Sequence, residues 1–221
     1  MRKTKIICTL GPSSESEEKL REIMLAGMNV ARFNFSHGSH EEHKKRFDRV
    51  MKISGELGLQ IATLLDTKGP EIRLKELEGG KAELKEGQLF TLALWDFVGD
   101  ENRVAITYED LHNDVKVGDR ILIDDGLIGL RVEKVNAPEI VCTVVNGGEL
   151  GEKKGVNVPN VSINLPNLTE KDKGDLLFGI EQDIDFIAAS FVRDASAVRE
   201  IKKLLKAHNA EHIDVIAKVE N

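Results

Sequence analysis

Aromatic residues, cysteines and long apolar runs are all scarce in this sequence, and each absence excludes a class of protein. Aromatics make up 5% of the 221 residues and the formal net charge is −7, whereas nucleic-acid binding usually leaves a basic face with stacking aromatics. No apolar stretch approaches the ~18 residues that cross a bilayer. Residues 1–5 resemble the start of a signal peptide, but the apolar run after them ends at Gly11 and Pro12, too early for a signal region. We therefore expect no nucleic-acid partner and no membrane partner.

The two cysteines, Cys8 and Cys142, both lie among β-branched residues in strand-like stretches. Such surroundings favour buried, reduced thiols over a disulfide. The reduced thiol is the usual state of cysteine in the cytosol. We therefore expect a cytoplasmic protein.

The first 69 residues alternate apolar strands with amphipathic helices. We predict strands at 5–10, 29–35 and 60–65, a helix that is capped by Ser14 or Ser16 and ends at Gly27, and a helix at 40–57. Because strands joined by helical crossovers pair in parallel, this segment indicates a parallel sheet.

The pattern changes between residues 70 and 166. Short alternating strands at 81–84, 90–94, 120–123, 127–132 and 140–145 are separated by glycine-rich turns, and no helix is predicted. This pattern predicts an antiparallel β-barrel domain inserted into the α/β chain.

The α/β pattern returns at residue 167. Thr169 followed by acids predicts a helix start, and strands at 185–191 and 212–219 flank a helix at 196–208. Residues 1–69 and 167–221 together are about half as long as the ~250 residues of a complete (β/α) barrel. The predicted fold is therefore α/β, a partial (β/α) TIM-type barrel domain formed by 1–69 and 167–221, with a β-barrel domain inserted at 70–166.

Charged and polar residues gather where the predicted strands end. Arg32, Asn34 and Ser36 alternate along the second strand and would share one face. A guanidinium, an amide and a hydroxyl suit a phosphate or carboxylate and a hard cation held by neutral oxygens. The alternative is a polar strand end that packs against its neighbours.

Two further strand ends carry charge. Asp66 and Thr67 finish an apolar run, and a buried carboxylate there needs a metal or an arginine partner; the alternative is a hinge with surface charges. Lys218 and Glu220 share one face of the last strand. Such a pair is usually structural, but it serves phosphoryl transfer when a metal and a phosphate lie between the two groups.

Other charged groups give weaker signals. His37, His40 and His43 do not match the zinc-protease helix pattern, which needs histidines four residues apart. The lysines of 153–154 lie in a glycine-flanked loop, and Asp124 begins an ordinary Asp-Asp-Gly turn. Each of these is more typical of a solvated surface.

Taken together, the motifs resemble one family along the whole chain. They are ICTLGPSS from Ile7, GMNVARFNFSHG from Gly27, LLDTKGPEIR from Leu64, LIDDGLI from Leu122, KKGVN from Lys153, LPNLTEKD from Leu165, DFIAASFVR from Asp185 and IAKVEN from Ile216. In this order they resemble the N-terminal portion of the pyruvate kinases, in which a β-barrel lid follows the third barrel strand. One departure is Phe33, which stands where leucine is common.

The resemblance implies phosphoryl transfer from phosphoenolpyruvate to ADP, which gives pyruvate and ATP. Arg32 would bind the substrate phosphate, and Lys218, which is also substrate-binding, would stabilise the phosphoryl group in flight. Arg73, a second catalytic residue, would contact the nucleotide together with His37, and Lys154 would reach its phosphates.

The resemblance also implies two cofactors, K⁺ and Mg²⁺ or Mn²⁺. The potassium ligands would be Asn34, Ser36, Asp66 and Thr67, the last through its backbone oxygen, and Glu220 would be a ligand of the divalent ion. Glu71 matches the potassium-dependent members of the family, whereas the independent members carry lysine there.

Length is the main departure from the family. Its second metal carboxylate would lie beyond residue 221, so we expect this chain to be part of a longer protein that forms a homotetramer. Two alternatives stay open. The chain could be a catalytically incompetent fragment that only binds nucleotide or partner chains, or its inserted barrel could bind nucleic acid or another protein.

Overall fold

The structure is a computed structural model that describes residues 3–220. Residues 1, 2 and 221, which the predicted barrel domain includes, lie outside the described residues. The chain divides into two compact units. The first unit contains the chain up to Pro70 together with Pro166–Glu220, and the second contains Glu71–Leu165.

The chain up to Pro70 forms three strands and two α-helices. They are β1 (Ile7–Thr9), α1 (Glu17–Ala26), β2 (Val30–Asn34), α2 (His40–Leu57) and β3 (Ala62–Asp66), with a 3-10 turn at Pro12–Ser14. Side-chain caps explain where the helices begin, because the Ser16 hydroxyl accepts from the Lys19 N–H and Ser39 forms a capping box with Glu42. Gly27, with φ 113°, ends α1 as predicted.

The middle of the chain is almost entirely β-structure. It contains β4 (Ile72–Arg73), β5 (Lys81–Leu84), β6 (Leu89–Ala93), β7 (Arg103–Ala105), α3 (Leu111–Asp114), β8 (Arg120–Ile123), β9 (Ile128–Asn136), β10 (Glu139–Asn146), β11 (Gly148–Gly151) and β12 (Gly155–Asn157), with a 3-10 turn at Glu78–Gly80. The sequence predicted no helix here, and α3 is a single turn. One turn is too short to produce a helical hydrophobic period.

The last part of the chain returns to alternating helices and strands. It contains α4 (Glu170–Glu181), β13 (Phe186–Ala189), α5 (Ala195–Ala207) and β14 (Asp214–Ala217). Thr169 caps α4 as predicted and forms a capping box with Asp172. Among residues 3–220, none of the helices combines the length and the apolar character that crossing a membrane requires.

The first unit is built on one five-stranded sheet with the order β1-β2-β3-β13-β14. Every neighbouring pair in it is parallel, as strands joined by helical crossovers require. Its core includes Leu20, Met24, Val50, Ile187 and Ile201. The predicted α/β class is thereby confirmed, and the sheet fits part of a (β/α) barrel.

The second unit has a seven-stranded sheet with the order β4-β12-β8-β9-β10-β6-β7 and a two-stranded sheet of β11 and β5. All pairs are antiparallel except β6 and β7, which run parallel. Its core includes Phe90, Leu92, Ile106, Ile121 and Leu130. The closed barrel form that the sequence suggests for this segment stays a prediction.

Both cysteines are free, as predicted, but Cys8 is only partly buried, whereas the sequence favours a buried thiol there. Cys142 is fully buried in β10, and burial raises the pKa of its thiol to about 12. This thiol is therefore protonated at neutral pH and unreactive.

Candidate functional site

Polar side chains converge at the carboxyl edge of the parallel sheet. The register pairs Asn34 with Asp66, and Asp66 with Ala188. The ends of β2, β3 and β13 therefore lie level with one another. In parallel α/β sheets this edge is where ligands bind.

Asp66 is the centre of the cluster and is 2% exposed. Arg32 Nε donates to Asp66 Oδ2 over 2.6 Å, and a second guanidinium nitrogen contacts the same oxygen. Lys218 Nζ donates to Asp66 Oδ1 over 2.9 Å. Because each carboxylate oxygen accepts from a cation, the cost of burying this charge is offset. The arginine partner expected from the sequence is thus present.

Ser190 joins this cluster, although the sequence analysis gave it no role. Its hydroxyl oxygen lies 2.8 Å from Lys218 Nζ, 2.6 Å from the Thr67 carbonyl oxygen and 3.2 Å from Asp66 Oδ1. Its N–H donates to Thr67 Oγ1 over 3.0 Å. The available signal was a hydroxyl residue at the end of an apolar stretch, the pattern that singled out Thr67, but the strand predicted at 185–191 includes Ser190, whereas β13 ends at Ala189.

Arg32 is held by a second strand end that the sequence analysis also missed. Its Nη1 donates to Thr9 Oγ1 over 2.6 Å, and Thr9 pairs with Arg32 in the register of β1 and β2. The Arg32 side chain is 32% exposed. The guanidinium is therefore fixed on its inner side and open to solvent on its outer side.

Lys218 and Glu220 lie after β14, which ends at Ala217, and so they do not share a strand face as the sequence suggested. Lys218 Nζ and Glu220 Oε1 are 3.4 Å apart. Glu220 Oε2 accepts the N–H of Phe191 over 2.9 Å. The Lys218 ammonium and the Glu220 carboxylate are therefore neighbours. Each is hydrogen-bonded to a residue of the segment after β13, Lys218 to Ser190 and Glu220 to Phe191.

Ser36 also lies outside the strand in which the sequence placed it. Because β2 ends at Asn34, Ser36 belongs to a turn in which its N–H donates to Asn34 Oδ1 over 3.0 Å. The polar residues of this segment are therefore arranged by a turn closed through the Asn34 side chain, and not by strand alternation.

The donor set at this edge fits hard cations. The Asn34, Ser36, Asp66 and Thr67 oxygens are of the kind that potassium and magnesium prefer. Within residues 3–220, no three His, Cys, Asp or Glu side chains gather closely enough to hold a metal ion. A cation bound here would therefore rest largely on neutral oxygens and, for a divalent ion, on a single carboxylate such as Glu220.

The loops after β2 and β3 are held by the first turn of α4. Lys171 Nζ donates to the Phe35 carbonyl oxygen over 2.8 Å, and Asp172 Oδ1 accepts the N–H of Gly69 over 2.9 Å. Asp172 is fully buried. The first turn of the helix thus fixes the backbone beside the predicted potassium ligands.

The histidines near the start of α2 have structural partners. His40 Nε2 lies 2.7 Å from Asp175 Oδ1, and His43 Nε2 lies 2.8 Å from the His37 carbonyl oxygen. The His43 ring stacks on Phe35, and burial lowers the pKa of His43. The His37 side chain, predicted to contact nucleotide, is exposed.

Two other predicted nucleotide residues belong to the second unit. Arg73 Nε pairs with Glu71 Oε1 at 2.7 Å, which raises the pKa of Arg73, and its Nη1 donates to the Lys153 carbonyl oxygen over 2.6 Å. Lys154 Nζ pairs with Asp124 at 3.0 Å. In the register of β4 and β12, Arg73 pairs with Gly155, and Lys154 directly precedes Gly155 in the chain.

Comparison with known proteins finds one family that matches the whole chain. A family model described as "Pyruvate kinase, barrel domain" matches residues 1–221. The chain is 57% identical over 222 residues to a pyruvate kinase of Geobacillus stearothermophilus, and 55% identical over 223 residues to a pyruvate kinase of Bacillus licheniformis. Each match covers all of this chain and 38% of the relative, so the chain spans well under half the length of these curated relatives.

Proposed function

This chain belongs to the pyruvate kinase family, and from that premise we propose that it contributes the phosphoryl-transfer site of an enzyme that converts phosphoenolpyruvate and ADP to pyruvate and ATP. In this reaction the phosphoryl group leaves the enol oxygen and joins the terminal phosphate of ADP, and the enolate then takes up a proton. The observation that carries the proposal is the pair of cations, Arg32 and Lys218, on the buried carboxylate of Asp66.

Arg32 is proposed to bind the substrate phosphate. A guanidinium has five N–H donors, and three nitrogen contacts, two to Asp66 and one to Thr9, occupy its inner side. Two donors remain, which matches the two oxygens of one phosphate that arginine binds in a bidentate manner. Asp66 and Thr9 then serve to orient the guanidinium before the substrate arrives.

Lys218 is proposed to stabilise the transferring phosphoryl group. Its ammonium has three donors, of which Asp66 and Ser190 accept two. Phosphoryl transfer leaves little covalent chemistry to the protein, so rate depends on charge that is already in place. An ammonium held between fixed acceptors meets that need.

K⁺ and Mg²⁺ or Mn²⁺ are the proposed cofactors. Asn34, Ser36, Asp66 and the Thr67 carbonyl would hold the monovalent ion, and Glu220 would hold the divalent ion. When bound, these ions neutralise phosphate charge. Glu220 is prepared for this role because the Phe191 N–H fixes one of its oxygens.

The nucleotide assignments of His37, Arg73 and Lys154 rest on the resemblance. The second unit contributes two cationic side chains: Arg73, which pairs with Glu71, and Lys154, which pairs with Asp124. Because cations bind phosphate oxygens, both groups suit ADP. A cytoplasmic location and a homotetramer for the longer protein are likewise proposed from the family.

The test needs a protein of full family length. We call it the assay protein: the full-length protein that carries this chain or, if the gene encodes no more, a chimaera in which these residues replace the matching segment of the Geobacillus stearothermophilus relative. We expect it to form pyruvate from phosphoenolpyruvate at a rate that requires ADP, a divalent ion and K⁺. Absence of pyruvate under these conditions would contradict the proposal.

The isolated chain separates the fragment alternative from the enzymatic one. Calorimetric titration of residues 1–221 with ADP measures binding without turnover. Binding by the isolated chain together with an inactive assay protein would favour a nucleotide-binding role.

A further inference from the structure

Ser190 belongs to the cluster around Asp66, and the mechanism proposed above names it only as an acceptor for the Lys218 ammonium. It is 7% exposed, so water has little access to its hydroxyl. The hydroxyl oxygen contacts Lys218 Nζ at 2.8 Å and the Thr67 carbonyl oxygen at 2.6 Å. It therefore connects the end of β3 to the residue proposed to stabilise the phosphoryl group.

The direction of these hydrogen bonds follows from the chemistry of the partners. A serine hydroxyl has one hydrogen and can accept through its lone pairs. The Thr67 carbonyl has no hydrogen, so the Ser190 hydroxyl donates to it. The Lys218 ammonium has no lone pair, so it donates to the Ser190 oxygen. Asp66 Oδ1, at 3.2 Å, is a more distant acceptor than the Thr67 carbonyl oxygen at 2.6 Å, so the hydrogen points to Thr67 and a lone pair faces the ammonium.

The backbone around Ser190 is fixed as well. A Cβ on Gly69 would lie 2.9 Å from both the Cβ and the carbonyl oxygen of Ser190, so the loop after β3 packs closely on it. Phe191 has φ 54°, which is unfavourable for a bulky residue and persists only where the surroundings impose it. This conformation accompanies the hydrogen bond from the Phe191 N–H to Glu220 Oε2.

We propose that Ser190 is a positioning residue for Lys218, with its hydroxyl, anchored on the Thr67 carbonyl, fixing the ammonium beside Asp66. The inference rests on the proposed phosphoryl transfer, in which Lys218 must occupy one place. A lysine side chain is a flexible four-carbon stem. Without the Ser190 hydroxyl, the ammonium would keep the carboxylates of Asp66 at 2.9 Å and Glu220 at 3.4 Å, and it could shift between them and leave the position that the reaction needs.

The experiment is a double-mutant cycle in the assay protein, with Ser190→Ala, Lys218→Met and the combined variant. We expect Ser190→Ala to lower kcat roughly ten- to a hundredfold, the factor that corresponds to the loss of one hydrogen bond to a charged group. The KM for phosphoenolpyruvate should change less than about threefold. In the Lys218→Met background, Ser190→Ala should change kcat by less than about twofold, because Ser190 acts through Lys218.

Three further measurements separate positioning from stability. Ser54→Ala is the matched control, since Ser54 is also buried and donates to a backbone carbonyl, that of Met51; its kcat should be unchanged. Ser190→Thr keeps a hydroxyl and should restore most of the turnover, unless a thermal melt shows that its methyl prevents folding. Affinity for Mn²⁺ alone should survive Ser190→Ala, because Glu220 is held by a backbone N–H.

The outcomes are distinct. Full turnover in Ser190→Ala, or losses that add in the combined variant, would overturn the positioning role while leaving the proposed function intact. A parallel loss of Mn²⁺ affinity and melting temperature, with normal kcat per folded molecule, would also overturn it, because Ser190 would then be merely structural. Normal turnover in Lys218→Met would contradict the role proposed for Lys218 itself, and this inference would fall with it.

Discussion

Arg32 has two tasks at the residue scale, since it pairs with Asp66 and is proposed to bind phosphate. Lysine at this position would keep the charge but lose the planar fork that permits both contacts at once. We expect Arg32→Lys in the assay protein to raise the KM for phosphoenolpyruvate roughly tenfold or more, the value of one charge-assisted hydrogen bond. Steady-state kinetics measure it, with Arg21→Lys, an exposed arginine paired with Glu56, as the control. An unchanged KM would contradict the phosphate-binding role.

Tyr108 gives a prediction on pH. Burial and a hydrogen bond from its hydroxyl to Asp114 raise its pKa to about 12. A raised pKa means that the folded protein holds the proton more tightly than the unfolded chain, whose tyrosine titrates near 10. The resulting stabilisation is present below about pH 10 and is lost as the pH rises toward 12.

The measurement is direct because the chain has one tyrosine. Absorbance of the phenolate in residues 1–221 should rise with a midpoint near 12. Asp114→Asn should lower that midpoint, because it removes the negative charge beside the hydroxyl. A wild-type midpoint near 10, the value of an unperturbed tyrosine, would show that Tyr108 is not buried in this way.

At the scale of elements, the close approach between the loop after β3 and the end of β13 can be tested with two glycines. Gly69 and Gly58 both have positive φ, 72° and 62°. A Cβ at Gly58 would meet nothing within 4 Å, whereas one at Gly69 would contact Ser190 and Phe191 at 2.9 Å. The two sites therefore share the backbone strain of an added side chain and differ in crowding.

We expect Gly58→Ala to lower the free energy of unfolding by about 1 kcal/mol, the cost of forcing alanine into a left-handed conformation, with kcat unchanged. Gly69→Ala should lower stability further and also reduce kcat, because Ser190 must shift. Chemical denaturation and steady-state assays of both variants in the assay protein supply the comparison. Equal effects at the two glycines would refute the close packing.

Helix positions were predictable where capping residues marked them. The bounds of α2 match the predicted helix at 40–57 at both ends, and the structure shows the local signals that set them: Ser39 and Glu42 form a capping box, and Gly58 follows the last residue. The capping residue Thr169 likewise identified α4. These signals are local, so one sequence is sufficient to read them.

The candidate site was predictable only in part because its contacts are not local. Alternation along a strand could not reveal that β2 ends at Asn34, so it put Ser36 on the wrong structural element. Ser190 was missed because its partner Asp66 lies 124 residues away in the chain. Nothing within a short window distinguishes this serine from a polar residue that merely follows a strand.

At the scale of the whole molecule, each compact unit has its own apolar core. We propose that Glu71–Leu165 is an independently folding domain. Expressed alone, it should unfold in one cooperative thermal transition, since its sheet buries large side chains such as Phe90 and Ile121. Ile121→Ala should lower its stability by about 2–5 kcal/mol. A gradual melt without a transition would contradict the proposal.

The central claim is that the cluster around Asp66 transfers phosphoryl groups, and the turnover number of Lys218→Met in the assay protein tests it most directly. We expect kcat to fall by roughly a hundred- to a thousandfold, about 3–4 kcal/mol, as when one preorganised donor is lost. The KM should change little, because Arg32 and Glu220 remain. Lys44→Met, an exposed lysine paired with Asp48 on α2, should keep normal turnover. Normal kcat in folded Lys218→Met, with only a lower melting temperature, would show a structural ion pair and contradict the claim.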